Sequence, residues 1–148
     1  SSKAVLPTAM TQVQQKLGVS KNTSNFMMPL GASMNMDGTA IYLGICAIFF
    51  AQAYGIELTL ANYVILILTC TLGSIGGAGI PSGSLFFMGM VLTSIGIPVE
   101  GIGFIIAVDR ILDMIRTALN VTSDSAITLV IDNSEKTLNR RVYNSKSN

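Results

Sequence analysis

Asp109-Arg110-Ile111-Leu112-Asp113-Met114-Ile115-Arg116-Thr117-Ala118-Leu119-Asn120-Val121-Thr122-Ser123-Asp124 is the stretch that decides how the chain is read. At about 100° per residue on a helix, Asp109, Asp113, Arg116, Asn120 and Asp124 fall within a sector of roughly 80°, with Thr117 at its edge. Ile111, Leu112, Met114, Ile115, Ala118, Leu119 and Val121 lie between them. A soluble amphipathic helix presents the same stripe to water, so the rest of the chain has to say which solvent the stripe meets.

The composition answers lipid. Half of the 148 residues are hydrophobic and 11% are charged, against about 25% charged in an ordinary soluble domain. Residues 58–99 contain no Asp, Glu, Lys or Arg. In such a chain the stripe faces the interior of a helix bundle, and ionisable residues inside a membrane are functional candidates by default. The net charge of +1 argues against a nucleic-acid partner. Cys46 and Cys70 lie in apolar stretches and read as buried hydrophobes; with no histidine and no Cys-x-x-Cys, zinc chemistry is excluded. No activated nucleophile is visible, so an enzyme is not expected.

The charges also give an orientation. Lys16 and Lys21 fall in one connection and Lys136, Arg140, Arg141 and Lys146 in the tail, while the other connections carry only Glu57 and Glu100. The positive-inside rule makes the Lys16–Lys21 loop and the C-terminus cytoplasmic in a multi-pass cell-membrane protein.

Outward from the stripe, the pattern predicts an all-α chain. Residues 1–17 contain a helix closed by Gly18. Residues 26–54 are long enough, at about 1.5 Å per residue, to cross some 30 Å of hydrocarbon. Asn35-Met36-Asp37-Gly38-Thr39 interrupts them, and a local break is tolerated only against protein or a water-filled cavity. Residues 61–97 read as two helices too short to span, joined at the Gly/Pro/Ser-rich residues 73–84; this describes a re-entrant hairpin, with two tilted spans as the alternative. A last helix covers residues 101–131, and a polar, mobile cytoplasmic tail covers 132–148. The Asn22-Thr23-Ser24 and Asn120-Val121-Thr122 sequons are discounted, one as cytoplasmic and one as intramembrane. The opening Ser1-Ser2-Lys3-Ala4-Val5-Leu6-Pro7 lacks an initiating Met and reads as the interior of a longer protein.

The chemistry of these residues fits a zwitterionic, acidic ligand. Arg116 offers a planar fork for a carboxylate. Asp113, one turn earlier, can accept from an amino group, and Asp109 can orient Arg116 from two turns away. Asn120 and Asp124, with Asn35 and Asp37, supply oxygens for a hard monovalent cation such as sodium. A channel-like or non-transporting membrane subunit is the reading from another class, though pore rings tend to carry one sign of charge.

Asn35-Met36-Asp37-Gly38-Thr39 is identical to the broken-helix motif of the sodium:dicarboxylate symporter family, the glutamate/aspartate transporters. Residues 113–124 resemble that family's last transmembrane helix, Gly79-Ile80-Pro81-Ser82-Gly83 the tip of its second re-entrant hairpin, and residues 1–7 the tip and exit of its first. The resemblance implies an elevator-type transport domain with a broken transmembrane helix and re-entrant hairpins. It would work as a homotrimer through a scaffold absent from this chain, coupling sodium entry to acidic amino-acid uptake. C4-dicarboxylate, neutral amino-acid or proton-coupled variants are alternatives. It also implies that Arg116 binds the substrate's side-chain carboxylate and Asp113 its amino group, with Ser2, Thr39, Ile80, Pro81, Gly83, Thr117 and Asn120 completing the pocket. Gly31, Asn35, Asn120 and Asp124 would hold one sodium, Asp37 another, and Ser33 with Ser74 a third. Three positions depart from the family's habit: Lys3 where Ser is frequent, Ser123 where Gly is usual, and Ser84 where Gly or another small residue lies.

Overall fold

A computed structural model describes residues 1–76 and 83–145. Every regular element among them is helical: α1 (Ser2–Leu17), α2 (Lys21–Met34), α3 (Asp37–Ala53), α4 (Leu60–Gly76), α5 (Gly83–Ser94), a 3-10 turn (Val99–Gly101), α6 (Ile102–Ser134) and α7 (Arg140–Asn144). The elements packed against α6 include α1, α2, α3 and α5, while α4 and α5 pack on each other and on α3.

Local chemistry sets the boundaries. Gly18 closes α1 in the left-handed conformation, at φ 75°, which glycine adopts without penalty. Ser20 then caps α2, its hydroxyl accepting from the Thr23 N–H at 3.3 Å, so this helix starts five residues before the sequence-derived span at 26. The break in the long α2–α3 run is narrower than the motif suggested. Only Asn35 (φ −95°, ψ 86°) and Met36 (φ −113°, ψ 52°) leave helical geometry. Asp37, Gly38 and Thr39 form the first turn of α3, where a carboxylate is favoured by the helix dipole. The freed Gly38 N–H donates to Asn120 Oδ1 at 2.8 Å, so α6 supplies the hydrogen bond that the interruption removes. With its break, the Lys21–Ala53 run is long and apolar enough to cross a membrane.

Two apolar clusters hold the helices together. The larger joins Leu43, Ala47 and Phe50 of α3 with Leu66 of α4, Met88 and Leu92 of α5, and Ile105 of α6. The smaller joins Ala9, Val13, Val19 and Met28, with Val121 and Leu129 of α6 against it. The outside is unusual for a soluble protein: Phe104 and Leu60 are each 82% exposed, and Phe26, Leu72, Phe86 and Met114 lie open as well. By contrast, α6 buries Asp109, Arg116, Asn120, Asp124, Thr128 and Asp132. Apolar outside and polar inside is the arrangement that lipid demands.

Two further boundaries differ from the sequence reading. Helix α4 continues through Gly73 to Gly76 instead of stopping at residue 72; a Cβ on Gly76 would strike the Phe87 ring, so the glycines let α5 approach. The residues after 131, expected to be a mobile tail, are tied down as far as α7. Asp132 is fully buried and accepts from the Ser20 N–H (2.8 Å), the Ser20 hydroxyl (2.6 Å) and the Thr137 hydroxyl (2.5 Å). The Asn139 N–H donates to the Gly18 carbonyl at 2.8 Å, which brings α7 against α1.

Asp132→Ala leaves the Ser20 and Thr137 donors without this acceptor, a loss of about 1–3 kcal/mol. Trypsin is expected to cut after Lys136, Arg140 or Arg141 several-fold faster in the variant than in the parent protein.

Candidate functional site

Helix α6 positions the charged centre. Arg116 donates through one terminal nitrogen to Asp109 Oδ1 at 3.1 Å and through the other to Asp113 Oδ1 at 2.9 Å. The two acids lie seven and three residues before it, which is one helix face. Helix α3 covers the group from the other side: the guanidinium carbon sits 3.9 Å from the centroid of the Tyr42 ring, a cation–π contact. The Tyr42 hydroxyl donates to Asp109 Oδ1 at 3.1 Å. The side chains of Arg116 and Asp109 are 5% and 3% exposed, while that of Asp113 keeps 15%. Arg116 is therefore fixed on its Asp109 side, and its Asp113 side is the more open. Asp109 Oδ2 finds no partner among the described residues. Beside Asp113, the Ser1 nitrogen donates to Thr117 Oγ1 at 3.2 Å.

One to two turns along, α6 meets the break between α2 and α3. Asn120 uses both ends of its amide there, accepting from Gly38 and donating to Met36 Sδ (3.3 Å) and Thr39 Oγ1 (3.5 Å). Asn35 donates to Asp124 Oδ1 at 2.9 Å and to Ser123 Oγ at 3.0 Å. The Ser123 hydroxyl donates to Asp37 Oδ2 at 2.5 Å. Gly31 has a steric reason to be glycine, because a Cβ there would overlap the Asp124 carboxylate. The absent side chain lets that carboxylate rest on the α2 backbone beside the Asn35 amide. Gly31, Asn35, Asp124 and Thr128 form the polar side of an open cleft of about 240 Å³ whose other walls are Met27, Leu30, Met34 and Ile127. The Asp124 carboxylate is an oxygen of the kind a hard cation takes, and at present it accepts from the Asn35 amide.

The structure gathers some sequence-derived candidates and leaves others apart. Asp113, Arg116, Thr117, Thr39 and Asn120 line a continuous strip from the ion pair to the break. Ser2 is buried at the start of α1, next to the Ser1–Thr117 contact. Asn35, Asp124 and, through Ser123, Asp37 meet by the hydrogen bonds above, and Gly31 by its close approach to Asp124, although Asp37 itself is exposed. Ser33 and Ser74 are not joined: the first donates to the Pro29 carbonyl at 3.0 Å and the second to the Thr71 carbonyl at 2.8 Å, each on its own helix. Gly83 opens α5, and Ile80 and Pro81 lie outside the described residues. Sequence reasoning missed Tyr42. Its one signal was the position three residues after Thr39, on the same face of α3.

The family model for the sodium:dicarboxylate symporter family matches residues 1–134. The chain is 46% identical over 125 residues to an excitatory amino acid transporter of Caenorhabditis elegans, a match covering 84% of this chain and 25% of that protein. It is 44% identical over 125 residues to excitatory amino acid transporter 2 of Homo sapiens, covering 84% and 22% of the two. Over 132 residues it is 46% identical to excitatory amino acid transporter 4 of Mus musculus, covering 89% and 24%. The chain thus spans about a quarter of the length of the curated relatives it matches. These names describe transporters and not enzymes.

Asp109→Ala removes one of the two carboxylates that compensate a buried guanidinium. Because Asp113 remains, the loss is expected near the lower end of the roughly 3–5 kcal/mol seen when buried pairs are broken. Tyr42→Phe keeps the ring and deletes one hydrogen bond, and should cost about 1 kcal/mol. Denaturation of the purified protein checks the order of the two variants.

Proposed function

We propose, because the chain belongs to the sodium:dicarboxylate symporter family, that it forms the substrate- and cation-binding part of a secondary transporter that couples sodium entry to uptake of acidic amino acids. The observation that carries this reading is Arg116, a buried guanidinium held by Asp109 and Tyr42 on one side and by the more open Asp113 on the other. A substrate with two carboxylates and an amino group matches that centre. Its side-chain carboxylate takes the Arg116 fork in place of the Asp113 contact. Asp113, released from that contact, accepts the substrate's ammonium. Each charge-assisted hydrogen bond is worth about 1.5–3 kcal/mol, and the low surrounding dielectric makes an unmatched partner costly. Thr117, Thr39, Asn120 and Ser2 line the same strip, and Ile80, Pro81 and Gly83 are assigned to the far wall.

Sodium is cargo in this scheme. Gly31, Asn35, Asn120 and Asp124 take one ion beside the α2–α3 break, Asp37 receives another, and Ser33 with Ser74 takes a third. The break supplies free backbone carbonyls at the same place. In the complete protein α4 and α5 act as a re-entrant lid. The whole unit moves as an elevator against a trimeric scaffold, and the C-terminus lies in the cytoplasm. Arg116 favours acidic over neutral substrates, and Asp113 favours amino acids over plain C4-dicarboxylates.

The test is uptake by the complete protein in proteoliposomes. Aspartate uptake is expected to saturate and to collapse without a sodium gradient. Arg116→Cys, combined with Asp109→Asn so that no buried charge is orphaned, is expected to lower aspartate uptake by at least about 10-fold, one charge-assisted bond's worth. Neutral amino acids should gain relative to aspartate. Undiminished aspartate uptake in that variant would overturn the role of Arg116, and sodium-independent uptake driven by a proton gradient would replace the coupling ion.

A further inference from the structure

Ser123 stands between the two acids assigned to cations and touches the machinery of both. Its hydroxyl hydrogen goes to Asp37 Oδ2 at 2.5 Å, and its oxygen accepts from Asn35 Nδ2 at 3.0 Å. The same Asn35 nitrogen donates to Asp124 Oδ1 at 2.9 Å. One unbroken run of hydrogen bonds therefore connects Asp124, Asn35, Ser123 and Asp37, and every link crosses between α6 and the α2–α3 break. The direction of the donors is what matters. As the side chains stand, an amide N–H points at Asp124, where a cation needs an oxygen. A hydroxyl hydrogen covers the Asp37 oxygen, where a second cation needs a bare lone pair.

We propose that Ser123 is a positioning residue that makes cation binding at Asp37 depend on cation binding at Asp124. A cation approaching Asp124 repels the Asn35 N–H and favours a turned amide that presents Oδ1. That turn withdraws the donor from Ser123 and offers its hydroxyl a new acceptor, the Asn35 oxygen. The hydroxyl rotates away from Asp37, and Asp37 Oδ2 opens to a second cation. Rotating a hydroxyl and turning an amide need no backbone movement, and the Ser123 hydroxyl exchanges the Asp37 oxygen for the Asn35 oxygen as its acceptor. The outcome is positive coupling between the two ions, because the first removes the hydrogen that hinders the second. This inference rests on the cation assignments made above for Asp124 and Asp37.

The experiment measures aspartate binding to the complete protein by titration calorimetry across sodium concentrations, for the parent, Ser123→Ala, Ser123→Thr and Asp124→Asn. Alanine suits a helix interior, and threonine keeps the hydroxyl as a rescue variant. Ser123→Ala leaves Asp37 uncovered at all times. Its sodium dependence is expected to lose part of its cooperativity, with a Hill coefficient below the parent's and a sodium half-saturation moved by about 5-fold or more, the lower range of ordinary coupling energies. Aspartate affinity at saturating sodium should stay within about 2-fold, and Ser123→Thr should restore the cooperative curve. A merely structural hydroxyl would change melting behaviour without changing the Hill coefficient. If Ser123→Ala reproduces the parent curve while Asp124→Asn abolishes the sodium dependence, the relay is wrong and the cation sites stand. If Asp124→Asn leaves the dependence intact, the cation assignment itself fails.

Discussion

A guanidinium is expensive to bury, and much of this structure follows from burying one. Taking Arg116 out of water costs several kcal/mol, recovered only where geometry and additional hydrogen bonds are good. Asp109 and Asp113 on its own helix supply the charge, and Tyr42 supplies both a ring face and a hydroxyl. That requirement fixes the rotation of α6, brings α3 onto it and leaves apolar side chains of α6 on the outside, where Phe104 and Met114 stand exposed. A chain with few charges has placed its most costly ones where they enforce one arrangement, with the Asp113 side left as the point at which a ligand can exchange.

The break between α2 and α3 is the second half of the same design. An interrupted helix leaves unpaired backbone groups that lipid cannot satisfy. Here Asn120 takes the Gly38 N–H, and Gly31 lets Asp124 lie against α2 without a side chain between. The residues that make the interruption tolerable are those proposed above to take a cation, so on that reading one set of side chains serves both stability and ion binding. The strip from Arg116 through Thr117 and Asn120 to Asp124 lies on a single helix, which holds the groups proposed for substrate and cation in one register.

Much of this was legible in the sequence. The periodic stripe on α6 stands out because charges are rare in the chain, and Asn35-Met36-Asp37 announces a break because helix propensity and hydropathy fail together. Other features were hidden for identifiable reasons. Tyr42 reads as an ordinary apolar aromatic until the fold brings its hydroxyl to Asp109. Ser123 stands out in the sequence only as a departure from the usual Gly, and its hydrogen bond to Asp37 emerges only from the fold. The extension of α4 through Gly76 was missed because glycines argue against helix locally, whereas Phe87 packing decides the matter. The end of the chain looked like a mobile tail because polar composition cannot reveal that Asp132 is buried against Ser20 and Thr137.

The most direct test of the central claim, that one buried arginine and its open aspartate read both ends of the ligand, is competition binding to the complete protein in saturating sodium. Aspartate, succinate and alanine differ only in whether they carry the amino group and the second carboxylate. Losing either is expected to weaken binding by at least about 10-fold, the equivalent of one charge-assisted hydrogen bond. Succinate or alanine binding as tightly as aspartate would contradict the account.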